Sequence, residues 1–209
     1  MLTVASKANN TQKHVFLIED HDELRDDLTY ILQFVGYVVH AFPNPIQFLD
    51  CDRHLAPAVV VSDMRMPLMT GVELQERLKE LGRTIPMIII SGESTDQQII
   101  AALKNGAIDF LLKPFSRESL LAAVAKGMEI DSTAMQNVIR VSEFNEKLKI
   151  LSPRERQVFE LLSQGFSNKE LMESLNISLP TVKQYKSEVM YKLRLRSLAE
   201  LIALYKSST

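Results

Sequence analysis

The first half of the chain alternates short apolar runs with amphipathic segments, and this alternation restricts the possible fold more than any other feature. Five runs read as buried strands, namely residues 14–18, 37–42, 58–62, 86–90 and 109–112. The segments between them carry apolar residues at helical spacing, for example from Leu24 to Val35. Strands that are apolar on both sides and separated by helices indicate a parallel sheet covered on both faces. The sequence therefore predicts an α/β domain of (βα)5 type with a parallel five-stranded sheet.

The second half has no comparable strand signal and carries helix-start signals at short intervals. Three serines are each followed three residues later by a glutamate, which is the pattern of a capping box, and a fourth serine precedes Pro180. These four serines are Ser152, Ser167, Ser178 and Ser197. The pattern predicts four short helices, and hence a second, all-α domain.

Residues 129–149 join the two halves and contain no Gly or Pro. Two interpretations are open. The apolar spacing fits a helical linker that packs on a partner or on the chain's own domains, and it equally fits a plain amphipathic helix that continues from the first domain. We predict a first domain over 13–128, a helical linker over 129–149 and a second domain over 150–209.

Composition and charge narrow the class of protein. The chain of 209 residues is 46% hydrophobic and 24% charged, as expected of an ordinary globular protein. No apolar run approaches the roughly 20 residues that cross a bilayer, and residues 1–13 are polar, so we expect a cytoplasmic protein with no membrane partner. The single cysteine, Cys51, excludes an internal disulfide.

The net charge of −2 is unevenly distributed. Residues 1–128 carry 12 Lys and Arg against 16 Asp and Glu, whereas residues 129–209 carry 12 against 10. This asymmetry indicates an acidic half and a half suited to a polyanion.

Reactive side chains follow four of the five predicted strands. Glu19 and Asp20 end the first strand, Asp63 the third, Ser91 the fourth and Lys113 the fifth. Because the carboxyl ends of parallel strands lie along one edge of a sheet, we expect these residues to converge there.

The chemistry of this group is that of phosphoryl transfer. Clustered carboxylates repel one another, and a hard divalent cation such as Mg²⁺ relieves the repulsion while keeping room for a phosphate oxygen. Lys113 and Ser91 then offer a positive charge and a hydrogen bond to the phosphoryl oxygens. Asp63, central in the group, is the expected nucleophile.

These motifs closely resemble the receiver-domain signature of response regulators over about 115 residues, and a receiver has a flavodoxin-like fold. The matching segments are Glu19-Asp20, Asp63-Met-Arg-Met-Pro-x-Met-x-Gly71, Ser91-Gly92 and Phe110-x-x-Lys-Pro-Phe115.

The receiver resemblance also assigns roles to individual residues. It implies that a sensor histidine kinase phosphorylates Asp63, and that Glu19, Asp20 and the backbone carbonyl of Arg65 help Asp63 to hold Mg²⁺. It places Ser91 and Phe110 at the positions that rearrange after phosphorylation, and it implies a cis bond between Lys113 and Pro114. Arg65 and Glu93 border the phosphoryl group, and we expect them to influence phosphate lifetime.

Residues 180–193 have the pattern of a DNA-recognition helix. Val182, Val189 and Leu193 share one side, which predicts packing on the domain. The residues predicted to contact base edges are Lys183, Gln184, Ser187 and Tyr191. The residues predicted to contact DNA phosphates are Thr181, Lys186 and Lys192.

The order of motifs in this half closely resembles the LuxR/NarL/FixJ type of helix-turn-helix domain over about 55 residues. The segments are Leu151-Ser-Pro-Arg-Glu-Arg-Gln-Val158, Gly165-Phe-Ser-Asn-Lys-Glu170, Thr181-Val-Lys183 and Lys192-Leu-x-x-x-Ser197. The resemblance implies that the last helix pairs two DNA-binding domains, while packing on the domain's own core is the alternative. Its stripe consists of Leu198, Leu201, Ile202 and Tyr205.

Together the two resemblances predict a phosphorylation-dependent transcriptional regulator of the FixJ/NarL type, and no enzyme. Its expected partners are a sensor histidine kinase, double-stranded DNA and a second copy of the chain, with RNA polymerase as a further candidate. One alternative is a phosphatase or phosphotransferase of haloacid dehalogenase type, but such enzymes commonly carry an Asp where this chain has Arg65. Another alternative is a DNA-binding protein whose receiver serves only as a protein-interaction module.

Overall fold

The computed structural model describes residues 12–51, 55–93 and 95–208. It forms two compact units, of which the first ends at Met135 and the second begins at Gln136. Most of the polar N-terminal stretch noted in the sequence, residues 1–11, lies outside the described residues. No described helix has an apolar stretch long enough to span a bilayer.

A parallel sheet forms the centre of the first unit. Its strands are β1 (His14–Ile18), β2 (Val38–Phe42), β3 (Ala58–Asp63), β4 (Met87–Ser91) and β5 (Asp109–Leu112). They are arranged in the order β2-β1-β3-β4-β5, and every pairing is parallel. The predicted five-stranded sheet is confirmed, with strand ends that differ from the prediction by at most one residue. From β1 the chain moves to β2 on one side and then to β3, β4 and β5 on the other. Ligand sites of open α/β sheets form at the carboxyl ends of the strands where the strand order changes direction in this way.

Helices cover both faces of this sheet because alternate residues of each strand point to opposite faces. In β1, Val15 and Leu17 pack toward α1 (Asp22–Phe34) and α5 (Arg117–Leu148), which supply Leu28, Leu32, Leu120 and Val124 to that core. Phe16 and Ile18 pack on the other face toward α2 (Pro45–Leu49), α3 (Gly71–Glu80) and α4 (Asp96–Lys104). Both cores are buried, so the strand ends are held at fixed positions.

The second unit contains four helices after α5, as the sequence predicts: α6 (Pro153–Ser163), α7 (Asn168–Leu175), α8 (Leu179–Leu193) and α9 (Leu198–Ser208). The predicted capping boxes at Ser152 and Ser167 form, since each serine accepts from a backbone N–H and the glutamate accepts from the serine N–H. The third predicted capping box, at Ser197, forms only in part. The Ser197 hydroxyl accepts from the Glu200 N–H, but the Glu200 carboxylate accepts from the Arg196 N–H and not from that of Ser197.

The helix that joins the halves is continuous. Helix α5 runs from Arg117 to Leu148 without interruption, so residues 129–148 continue the last helix of the first domain, as one of the two interpretations has it. Phe144, near its C-terminal end, is buried in the core of the second unit. The domain boundaries proposed from the sequence, at 128/129 and 149/150, stay predictions.

Candidate functional sites

Three carboxylates meet at the carboxyl edge of the sheet. Asp63 is the last residue of β3, and Glu19 and Asp20 follow β1 directly. One oxygen of each lies within 4.8 Å of the others, which is close enough for a single metal ion. Glu19 and Asp63 are buried while Asp20 is exposed. We call these three residues the acidic cluster; its hard oxygen ligands and its open side fit Mg²⁺, which prefers carboxylates and retains waters or phosphate oxygens.

Lys113 directly follows β5, and its side chain contacts the acidic cluster. Its Nζ donates to Glu19 Oε2 at 2.9 Å and lies 3.1 Å from Asp63 Oδ1. Burial disfavours the charged form of Lys113, but hydrogen bonds to Glu19 and Asp63 and their negative charges outweigh it, so the pKa of Lys113 is raised. The Lys113–Pro114 bond is cis, as the resemblance implied. The lysine therefore stays charged beside Asp63.

The pKa of Glu19 is raised as well, which in a carboxyl disfavours the charged form. Burial raises the pKa of its carboxyl above the ordinary value and the Asp63 charge adds to the rise, while the hydrogen bond from Lys113 offsets part of it. A carboxylate that is destabilised by burial and by a neighbouring negative charge gains when a cation binds beside it. This supports the acidic cluster as a candidate metal site.

Gly71 permits the close approach of α3 to the end of β3. Its N–H donates to the Met64 carbonyl at 2.9 Å, and a Cβ at this position would lie 2.6 Å from the backbone oxygen of Asp63. Any side chain would therefore displace the backbone of Asp63. The loop glycine of the sequence motif has a steric explanation.

The two candidate switch residues lie on neighbouring strands. Ser91, the last residue of β4, is 1% exposed, and its hydroxyl donates to the Glu93 carbonyl at 3.0 Å. Phe110 pairs in register with Ile89 and packs, half-buried, against the core on the α3 and α4 side. Both positions can therefore respond to a change at the strand ends, and their role as switches stays a prediction.

Arg65 and Glu93 contact each other, which the sequence did not indicate. Arg65 Nη1 lies 3.6 Å from Glu93 Oε2, and both side chains are exposed. Such a surface pair contributes little to stability, about 0–1 kcal/mol. The contact joins the loop after β3 to the loop after β4. No described contact involves the Arg65 carbonyl as a ligand, and that role stays a prediction.

We expect the double variant Arg65→Ala with Glu93→Ala to change the lifetime of phosphate on the protein by about three- to tenfold, because we predict that both side chains border the path by which water reaches a phosphoryl group on Asp63. The decay of phosphoprotein after removal of the donor, followed by gel mobility, measures it. The matched control is Arg77→Ala with Glu80→Ala, another exposed ion pair, on α3. An unchanged decay rate in the first variant would exclude this role.

Helix α8 presents a buried and an exposed face, as predicted for a recognition helix. Val182, Val189 and Leu193 are fully buried in the second unit. The four residues predicted to contact bases are exposed and are Lys183, Gln184, Ser187 and Tyr191. Tyr191 is 85% exposed, so its ring and hydroxyl are accessible to a partner.

The predicted phosphate contacts differ in their surroundings. Thr181 Oγ1 shares a hydrogen bond with Ser178 Oγ at 2.8 Å, and Lys186 is half-buried. Lys192 Nζ lies 2.7 Å from an oxygen of the buried Glu155, an ion pair that the sequence did not reveal. The ammonium of Lys192 thus ties α8 to the capped start of α6, and its contact with DNA stays a prediction.

The stripe on α9 is divided between core and surface. Leu201 is 0% exposed, so its side chain belongs to the domain's own core and cannot form part of a dimer surface in this structure; for this residue the packing alternative is correct. The Tyr205 ring packs edge-on against Phe159, with centroids 5.8 Å apart. Leu198 and Ile202 are half-buried and keep some surface for a partner.

Comparisons with known proteins match both units. Residues 15–125 match the family described as "Response regulator receiver domain", and residues 149–205 match "Bacterial regulatory proteins, luxR family". The response regulator protein TmoT of Ectopseudomonas mendocina is 34% identical over 93% of this chain and 88% of its own length. The transcriptional regulatory protein FixJ of Bradyrhizobium diazoefficiens is 36% identical over 93% of this chain and 95% of its own length.

Solved structures give the same picture. The response regulator StyR matches with a TM-score of 0.75 and 34% identity, covering 93% of this chain and 98% of its own. Full-length FixJ from B. japonicum matches with a TM-score of 0.58 and 35% identity, covering 95% of this chain and 98% of its own.

Proposed function

The chain belongs to the response regulators that join a receiver domain to a LuxR-type DNA-binding domain, and from this membership we propose that Asp63 accepts phosphate from a sensor histidine kinase. Proteins built in this way are phosphorylation-dependent transcriptional regulators. The observation that supports the proposal best is the convergence of three strand ends, which brings Lys113 within 3.1 Å of Asp63 and 2.9 Å of Glu19.

Asp63 acts as the nucleophile in this proposal. One of its carboxylate oxygens forms a bond to phosphorus while the bond from phosphorus to the kinase's imidazole nitrogen breaks, and the electron pair stays on that nitrogen. Glu19, Asp20, Asp63 and the Arg65 carbonyl would hold Mg²⁺, which would supply positive charge to offset that of the phosphoryl oxygens. Lys113 then turns from the carboxylates toward a phosphoryl oxygen, and Ser91 donates to another.

The signal passes from the site to the DNA-binding unit through Ser91 and Phe110. When Ser91 donates to phosphate, the space near β4 changes and Phe110, which has no hydroxyl, moves to a more buried position. The surface of α4, β5 and α5 then pairs with a second copy of the chain. A dimer places two recognition helices on a two-fold symmetric DNA site, with Leu198, Ile202 and Tyr205 of α9 available for contact.

We propose further that the protein works in the bacterial cytoplasm, where a kinase domain and DNA are both accessible, and that RNA polymerase is a candidate partner once DNA is bound. We do not expect the protein to hydrolyse small phosphate esters. The position two residues after Asp63 is occupied by Arg65, which cannot act as the general acid that a phosphatase of haloacid dehalogenase type carries there.

Selection from a random pool of DNA duplexes tests this function. We expect enrichment of a two-fold symmetric sequence, and stronger enrichment after treatment with acetyl phosphate and Mg²⁺. Enrichment that is equal with and without the phosphate donor would favour the alternative in which the receiver is only an interaction module. No enrichment in either condition would contradict the proposed function.

We expect Lys183→Ala and Gln184→Ala each to weaken binding to the selected duplex by about 10- to 100-fold and to relax its sequence preference, because a side chain that reads a base edge contributes roughly 1–3 kcal/mol. Fluorescence anisotropy with matched and mismatched duplexes measures both effects. Lys206→Ala is the control, since Lys206 is exposed on a different helix, α9. Equal affinity of the two α8 variants and the control would exclude these contacts.

A further inference from the structure

The recognition helix ends on a residue in an unfavourable backbone conformation. Arg194 caps α8 in the left-handed region, with φ 54° and ψ 42°, and its N–H bonds the Met190 and Tyr191 carbonyls. Glycine adopts this conformation without steric cost, whereas a residue with a Cβ is strained there. Arg194 is exposed, and no described side-chain contact compensates for the strain. Strained residues of this kind are concentrated at functional sites.

Arg194 lies in a groove with other cations. The groove has a volume of about 940 Å³, and its charged lining residues are Lys147, Lys192, Arg194 and Arg196. No carboxylate lines it. Lys192 is paired with Glu155, but Lys147, Arg194 and Arg196 form no ion pair with any residue in the part of the chain that the structure describes. Three cations without a counter-charge make this groove a candidate site for a polyanion.

The same groove reaches the exposed face of α8. Ser187 and Tyr191, both expected at the bases, contribute to its wall, and Ile150 on the other side is 59% exposed. A helix in the major groove has a phosphate backbone on each side, and contacts to that backbone fix the position of the helix. A basic groove that adjoins the base-reading face is therefore placed for one of those backbones.

Resting on the proposed DNA-binding function, we propose that this groove holds the phosphate backbone of one DNA strand beside the recognition helix, with Arg194, Arg196 and Lys147 as its phosphate ligands. Glycine would relieve the backbone strain at the C-cap of α8, but only a side chain such as that of Arg194 places a guanidinium there. That guanidinium can donate two parallel hydrogen bonds to a phosphate, which a lysine cannot do with the same geometry.

The variants Arg194→Gly and Arg194→Lys separate a DNA contact from a structural role. Arg194→Gly relieves the backbone strain, so we expect the thermal midpoint of the second unit to rise by a few degrees while affinity for the selected duplex falls by about three- to tenfold. Its plot of log affinity against log salt concentration is expected to lose about 0.9 of slope, the contribution of one phosphate contact. Arg194→Lys keeps the strain and the charge, and is expected to retain most of the salt slope.

A base-reading variant serves as the matched comparison. Gln184→Ala is expected to change sequence preference without changing the salt slope, whereas Arg196→Ala is expected to behave like Arg194→Gly in binding but without its gain in stability. If wild-type protein binds the duplex and Arg194→Gly binds with the same affinity and slope, the groove is not a phosphate site and the proposed function is untouched. If wild-type protein selects no duplex from the pool, both the proposed function and this inference are wrong.

Discussion

Asp63→Asn is expected to abolish phosphorylation and, with it, the increase in DNA affinity that a phosphate donor produces in the wild-type protein. The amide of asparagine is not a nucleophile for phosphorus, and no other described carboxylate has both Lys113 and Glu19 beside it. The expected loss is complete within detection, and at least 100-fold in labelling rate, since covalent catalysis needs the nucleophile itself. Gel mobility of phosphoprotein after incubation with acetyl phosphate and Mg²⁺ measures the first effect, and anisotropy with the selected duplex measures the second.

The control for this variant is Asp26→Asn, the same chemical change at an exposed position on α1. The Asp26→Asn variant is expected to be phosphorylated, and to gain DNA affinity with a phosphate donor, as the wild-type protein does. Gel filtration of the three proteins with beryllofluoride adds the oligomeric state: wild type and the control shift toward a dimer, and Asp63→Asn does not. Normal labelling of Asp63→Asn would mean that another residue is the acceptor.

Lys192→Met is expected to destabilise the second unit by about 2–3 kcal/mol. Glu155 is 3% exposed and, once the ammonium is gone, would keep only hydrogen bonds from Ser152, including one from the Ser152 N–H at 2.6 Å. Removing one partner of a buried ion pair costs roughly 3–5 kcal/mol. We expect a smaller loss for Lys192→Met because Lys192 is partly exposed. Urea denaturation followed by circular dichroism measures the change.

The control is Lys183→Met, on the exposed face of the same helix, which is expected to change the free energy of unfolding by less than about 0.5 kcal/mol. Equal stability of the two variants would show that the ion pair contributes nothing. The salt slope of DNA binding by Lys192→Met tests, separately, whether Lys192 also contacts phosphate.

The effect of Lys192→Met should depend on pH. The hydrogen bond from Lys192 holds the pKa of Glu155 below its ordinary value of 4.5. A carboxyl whose pKa is lower in the folded state contributes stability above the unfolded value and loses it as pH falls through the folded value. The difference between wild type and variant is therefore full near pH 7 and shrinks below about pH 4.5.

The receiver fold and its site were predictable because both depend on the order of elements along the chain. Apolar runs at positions 14–18 and 58–62 identify strands, and parallel strands must bring Glu19 and Asp63 to one edge whatever the detailed packing. The same argument brought Lys113 and Ser91 to that edge. Site residues that directly follow a strand can therefore be predicted from the sequence alone.

Side-chain partners across the second unit were not predictable in this way. Glu155 and Lys192 lie 37 positions apart on different helices, and only the packing of α6 against α8 brings them together. Helical periodicity places Leu201 on an apolar stripe of α9, but it cannot say whether that stripe faces the domain's own core or a second copy. Both questions are decided by tertiary packing, which a one-dimensional pattern does not contain.

The joining helix shows the same limit. The spacing of apolar residues over 129–149 fits a separate linker and a continuation of the receiver helix equally well, because both are amphipathic helices without Gly or Pro. In the structure the backbone of α5 is unbroken through to Leu148, and Phe144 of the same helix is buried in the core of the second unit, so the two interpretations do not exclude each other.

Chemical trapping of the phosphorylated residue tests the central proposal most directly. Protein treated with acetyl phosphate and Mg²⁺ is reduced with borohydride, which converts an acyl phosphate of aspartate to homoserine, and the altered residue is located by peptide mass spectrometry. The proposal predicts homoserine at position 63 alone, and none when Mg²⁺ is removed with a chelator. Homoserine at another aspartate, or no reduction product from protein that binds DNA normally, would contradict it.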